Sequence, residues 1–139
     1  MLSERVIPNI RIGSSCSDLP NRFDLSIVWQ KLCLIFNKFG KNFKQIEMIN
    51  CVISMKGLKH LLYLSFNLER LYLRSCKTFA SASSNIRFLN LKLTELSLLY
   101  CCPEIQKIAL ELAPNTVTSF TIISYSIEVL PSFVLRQNK

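Results

Sequence analysis

Six cysteines and a single histidine carry the most reactive side chains of this 139-residue sequence. A thiolate is a nucleophile and a soft metal ligand, and a neighbouring imidazole can act as its base. Cys76, Cys101 or Cys102 with His60 would be such a pair. The spacing does not favour it. His60 lies within a leucine-rich segment, Ser54–Leu64, whereas the cysteines end short strand-like runs. No two cysteines have the C-x-x-C spacing, and the four closely spaced ligands of a zinc site are missing. Cys101 and Cys102 are adjacent, and a bridge between them would be strained, so reduced thiols in the cytoplasm or nucleus are expected. There is no G-x-S-x-G, no glycine-rich phosphate loop among only three glycines, and no paired-carboxylate motif. These residues read as a non-enzyme with no cofactor and no metal.

Three of the cysteines have another regularity. Cys51, Cys76 and Cys101 are evenly spaced, and each closes a unit of the same length and pattern. The units are Phe43–Cys51 (FKQIEMINC), Leu68–Cys76 (LERLYLRSC) and Leu93–Cys101 (LTELSLLYC). A fourth, Val117–Tyr125 (VTSFTIISY), follows at a slightly shorter interval with Tyr in the cysteine place. The shared pattern is L-x-x-L-x-L-x-x-C, and a fixed period in the twenties is the mark of a solenoid. Ile7, Ile10 and Ile12 repeat the same offsets, but at a longer distance before the Phe43 unit, so 7–39 reads as a divergent first repeat.

Alternation along a strand assigns each position a side. Phe43, Ile46 and Met48, then Leu68, Leu71 and Leu73, turn inward. The intervening residues form three outward rows. The first is Asn9, Gln45, Arg70, Glu95, Ser119; the second is Arg11, Glu47, Tyr72, Ser97, Thr121; the third is Gly13, Ile49, Arg74, Leu99, Ile123. Tyr72 between Arg70 and Arg74 is the sharpest candidate contact, because Tyr and Arg combine large area with directional polar groups. Ile49, Leu99 and Ile123 are apolar residues expected in solvent on this face, which motivates a partner. Cys51, Cys76 and Cys101 are expected to turn the chain as a buried structural ladder, each thiol donating weakly to a backbone carbonyl.

The connecting segments must return the chain to the next strand. Asp24–Phe39 has Leu25, Val28, Trp29, Leu32, Ile35, Phe36 and Phe39 at helical spacing. Asp24 is suited to cap its start, and Gly40 to end it in a left-handed turn. Ser54–Leu64 places Leu58, Leu61 and Leu62 on one face, with Gly57 weakening its start. Ser14–Asn21 and Lys77–Asn90 read as loop or irregular turn. Around Lys77–Asn90 the register is ambiguous, since Ile86, Leu89 and Leu91 also fit; the Leu93 register keeps the cysteine and the step. Cys102–Leu112 is a helix begun by Pro103 and Glu104, with Ile105, Ile108, Ala109 and Leu112 inward, and Ala113–Asn115 ends it. The tail Ser126–Lys139 begins a return without another strand pattern.

Half of the chain is hydrophobic, yet no run approaches the roughly 18 apolar residues of a spanning helix. The first residues, MLSERVIPNI, lack the basic and apolar regions of a secretory signal. No membrane partner is expected on these grounds. The net charge is +8. Its one acid-free basic cluster is Lys31–Lys44, with Lys31, Lys38, Lys41 and Lys44. A solvated helix end explains it, since Lys38 and Lys41 complement the helix dipole; nucleic-acid binding through this basic surface is the weaker alternative.

The units FKQIEMINC, LERLYLRSC and LTELSLLYC resemble leucine-rich repeats of the cysteine-containing class, well over Phe43–Tyr125 and loosely over Ile7–Phe39. That class is typical of the substrate-recognition regions of F-box proteins in SCF-type ubiquitin ligases. The resemblance implies an α/β solenoid, a horseshoe with short parallel strands on the concave face and helices or irregular segments on the convex face. One domain, 1–139, is expected. The implied function is a protein–protein interaction module whose concave face binds a partner, as a substrate receptor or as a free-standing or fragmentary scaffold. No F-box is legible ahead of the repeats, so a Skp-type adaptor would need one elsewhere. No polar cap is legible at either end, so the array reads as a fragment of a longer protein or as a diverged one.

Overall fold

Alternation of apolar and polar residues builds a parallel sheet. The computed structural model describes residues 8–13, 23–78, 91–112 and 117–123. Its strands are β1 (Asn9–Gly13), β2 (Phe23–Asp24), β3 (Gln45–Ile49), β4 (Cys51–Val52), β5 (Arg70–Arg74), β6 (Glu95–Leu99) and β7 (Ser119–Ile123). Its α-helices are α1 (Trp29–Phe39), α2 (Met55–Leu64) and α3 (Pro103–Leu112). The fold is α/β. Five strands form one sheet in the order β1-β3-β5-β6-β7, every pair parallel. The pairing follows the sequence period. Gln45 pairs with Arg70, and Arg70 with Glu95, the same interval that separates the cysteines. The Leu93 register is therefore the one adopted, and Leu91 is simply buried ahead of it.

The strands β5, β6 and β7 share a way of being entered, and β3, β5 and β6 share a way of being left. A single carbonyl accepts two N–H groups at the entrance: Lys44 for Glu69 and Arg70, Glu69 for Thr94 and Glu95, Thr94 for Thr118 and Ser119. At the exit the chain turns through Asn50, Ser75 and Tyr100, with φ of 57°, 53° and 58°. Their N–H groups donate forward to the carbonyls of Arg74, Leu99 and Ile123. This corrects the expectation that the cysteine itself turns the chain: the residue before it does. The left-handed conformation costs about 1–2 kcal/mol at a non-glycine residue. The forward hydrogen bond offsets that cost and leaves the cysteine side chain pointing inward.

After this turn a second, shorter line of pairing begins. β2 and β4 pair in parallel through Phe23–Cys51 and Asp24–Val52, and Val52 bridges to Lys77. No sequence pattern announces it, because so short a strand cannot show an alternation.

The core lies between the sheet and the helices. Ile46, Met48, Leu71, Leu96 and Leu98 are at most 1% exposed. They pack in one cluster with Leu32 and Phe36 of α1, Leu58, Leu61 and Leu62 of α2, and Ile105 of α3. Full burial of such a side chain contributes roughly 1.5–3 kcal/mol. Phe36 meets Phe43 edge to face at 5.0 Å. The outer strands are less enclosed: Ile10, Phe120 and Ile122 are half-buried.

The first helical segment starts as a 3₁₀ turn, Leu25–Val28, with the Asp24 carboxylate accepting from the Ser26 N–H at 2.9 Å. Two expectations fail here. Ile35 is 39% exposed, because the buried stripe of α1 narrows to Leu32 and Phe36. Gly40 is helical, with φ −55°, and leads into a 3₁₀ turn instead of a left-handed stop. Glycine is needed there for close approach: a Cβ would stand 2.7 Å from the Leu64 carbonyl oxygen. Ser54 caps α2 by accepting from the Gly57 N–H at 2.9 Å. Pro103 opens α3, as its sequence position predicts.

Several sequence expectations lie outside the described residues: the Ser14–Asn21 loop, most of Lys77–Asn90 with Ile86 and Leu89, the Ala113–Asn115 stop, Tyr125 and the Ser126–Lys139 tail. The side chains of Ile108, Ala109 and Leu112 also lie outside them. Among the described residues, no helix is long and apolar enough to cross a membrane.

Candidate interaction surface on the sheet

The outward positions of the five strands stand in register as three rows, residue by residue. Asn9, Gln45, Arg70, Glu95 and Ser119 align; so do Arg11, Glu47, Tyr72, Ser97 and Thr121, and Gly13, Ile49, Arg74, Leu99 and Ile123. Parallel strands put such neighbours about 4.8 Å apart. Charges along the first two rows are largely matched. Arg11 pairs with Glu47 at 3.3 Å. Arg70 donates from Nε to Gln45 at 3.0 Å and lies 3.7 Å from Glu69. Lys44 reaches the same Glu69 at 3.5 Å. Partial burial and a hydrogen bond to the Glu95 carboxylate hold the Tyr72 phenol above its ordinary range.

The third row is different. Arg74 is exposed and makes no ion pair among the described residues. Leu99 is half-buried, and Ile123 is 45% exposed. Ile49 corrects the sequence reading: it is 5% exposed and not in solvent. Gly13 and Arg74 stand in register with it, and alternation along the strand gives its direction without its cover. Arg70 and Arg74 are thus unequal flanks of Tyr72, one engaged within the sheet and the other available.

Beneath the rim of the sheet stands a column of thiols. Cys51 donates to the Ile12 and Ile49 carbonyls at 3.6 and 3.3 Å. Cys76 donates to those of Met48 and Arg74, both at 3.4 Å. Cys101 donates to those of Leu73 and Leu99 at 3.4 and 3.7 Å. Ile12, Met48 and Leu73 are register equivalents, so each thiol ties the end of its own strand to the preceding strand. Hydrogen bonds from Cys101 and Cys51 lower Cys76, whereas the same contact and burial raise Cys51 and Cys101. Cys76 is 1% exposed. His60 is exposed on α2 with its ring 6.2 Å from that of Trp29, and it is not among the groups acting on these thiols. Cys102 lies 3.8 Å from the Thr78 hydroxyl. Cys33, Cys51, Cys76, Cys101 and Cys102 are all free thiols. The described residues contain no group of three or more potential metal ligands.

The helix side carries surface residues that pattern reasoning passed over. Ile27, Leu34, Tyr63 and Phe66 are 76%, 70%, 67% and 56% exposed. Leu34 already breaks the three-and-four spacing of its helix, which is the signal that could have flagged it.

Comparison of the chain with known protein families, with curated proteins and with solved structures finds no match.

Proposed function

We propose that the chain is a leucine-rich repeat solenoid of the cysteine-containing class, and that its outward sheet face, concave in a horseshoe of this kind, binds a protein partner. The observation that carries this reading is the third row. Arg74, exposed and without an ion pair among the described residues, stands beside Tyr72, with Leu99 and exposed Ile123 on the following strands. The rest of the face matches its own charges, whereas this corner leaves cationic, aromatic and aliphatic groups for a partner. Such groups dominate interface energetics. The constant in-register step and the thiol ties between coils support the repeat assignment. Substrate recognition within an SCF-type ubiquitin ligase is the narrower form of the proposal, and it requires an F-box elsewhere in the protein.

The test compares the native chain with Tyr72→Ala/Arg74→Ala in affinity capture. A partner retained by the native chain should lose about 2 kcal/mol or more of binding to the variant, with its thermal unfolding little changed. Equal capture by both would sink the proposed face. A Skp-type adaptor in the native capture would favour the ligase role; its absence would favour a free-standing scaffold.

A further inference from the structure

The first two helices repeat at the same interval as the strands, and the charged residues they carry are all lysines. Lys31 and Lys38 share one stripe of α1 with Leu34 between them. One repeat further on, Lys56 and Tyr63 occupy the equivalent stripe of α2, with half-buried Lys59 between them. Beyond the helix ends, Lys41 and Phe66 correspond in the same way, and both are exposed. The two helices are in contact, Gly40 closing on Leu64 and Trp29 on His60, so the stripes lie side by side. From Leu25 to Leu68 the only acidic residue is Glu47, which lies on the sheet face paired with Arg11. Within α1 and α2 the lysines have no carboxylate; Asp24, just ahead of them, is engaged with the Ser26 N–H, and among the described residues Lys31, Lys38 and Lys56 form no ion pair. Among these lysines stand exposed apolar side chains, the most exposed being Ile27, Leu34, Tyr63 and Phe66.

We infer that this layer docks on an anionic lipid surface. Lysines attract the acidic headgroups, and aliphatic and aromatic side chains enter the boundary between headgroup and acyl chain. Each feature alone has another explanation; together they match a membrane interface. A nucleic acid would be held by the lysines but would gain little from Ile27 and Leu34, since phosphates are bound by charge and polar donors. An acidic peptide would need pockets for the apolar groups, whereas a lipid interface accepts them wherever they project. The missing spanning segment does not bear on this mode, in which the protein lies on the surface.

Co-sedimentation of the full chain with vesicles tests the inference. Binding should be strong to phosphatidylcholine vesicles containing phosphatidylserine, weak to phosphatidylcholine alone, and reduced by salt. Lys31→Gln/Lys56→Gln should weaken it by about five-fold for each lysine removed. Leu34→Ser/Phe66→Ser should also weaken it while leaving the salt dependence in place. All four residues are exposed, and unchanged thermal unfolding of each variant verifies that the fold survives. No binding, equal binding to both vesicles, or binding unaffected by Leu34→Ser/Phe66→Ser would overturn the inference. So would tighter binding of a DNA duplex or a polyglutamate peptide than of the anionic vesicles. None of these results depends on Tyr72 or Arg74, so this inference and the sheet-face proposal can fail separately.

Discussion

On the sheet face, cations stand beside anions; on the helix face, they stand beside apolar side chains. Arg11 has Glu47, Arg70 has Gln45 and Glu69, and Tyr72 has Glu95. Lys31, Lys38 and Lys56 form no ion pair among the described residues, and Lys38 instead lies 5.3 Å from the centre of the Phe39 ring. Both faces carry the same repeat step, and both are built over the same interior. Period and burial therefore fix where side chains point without fixing what they carry. The matched face explains itself as a sheet surface. The unmatched one, and the single unmatched corner at Arg74, are where the two proposed contacts are placed.

The sharpest way to break the comparison is to remove what both faces share. Leu71 is fully buried, and Leu71→Ala should cost about 2–5 kcal/mol, read as a lower urea midpoint, with both surfaces lost together. A smaller effect is expected from the matched charges. Arg11→Ala removes a pair whose side chains are 62% and 31% exposed, so it should cost no more than about 1 kcal/mol and less at high salt. The smallest signal is titrimetric. The Tyr72 phenol should ionise above the ordinary value of 10.0, followed by its ultraviolet absorbance, and Glu95→Gln should bring it back toward that value. Because the folded chain favours the neutral phenol, this contribution to stability is complete below the ordinary value and is lost as pH rises through the folded one. An ordinary titration that Glu95→Gln leaves unmoved would show that the two side chains do not meet.

The strand rows were legible in the sequence because each depends on one alternation and one period, both repeated often enough to fix the register. Leu71, Leu73, Leu96 and Leu98 could be placed inward from spacing alone. Ile49 could not be placed correctly, because alternation gives direction but not cover. Gly40 misled for a related reason: its composition suggests a stop, whereas its role is set by Leu64 on another helix. The left-handed residues were hidden because only Asn50 belongs to a type that favours that conformation; Ser75 and Tyr100 adopt it because the next strand supplies an acceptor. The split between a charge-matched and an unmatched face was illegible because a count of lysines does not say which carboxylates stand beside them.

The pairing intervals also bear on how the chain reaches this state. From Gln45 onward the partners Arg70, Glu95 and Ser119 follow at nearly equal steps, whereas Asn9 is joined to Gln45 across a longer one. The entropy lost in closing a loop grows only with the logarithm of its length, so the longer first step costs about 0.3 kcal/mol more than the others. The entropic cost of closure is then nearly the same at each step. Nucleation would be decided by where the local burial is greatest, in the segment containing α1, α2, β3 and β5, and growth would run outward to β1 and β7.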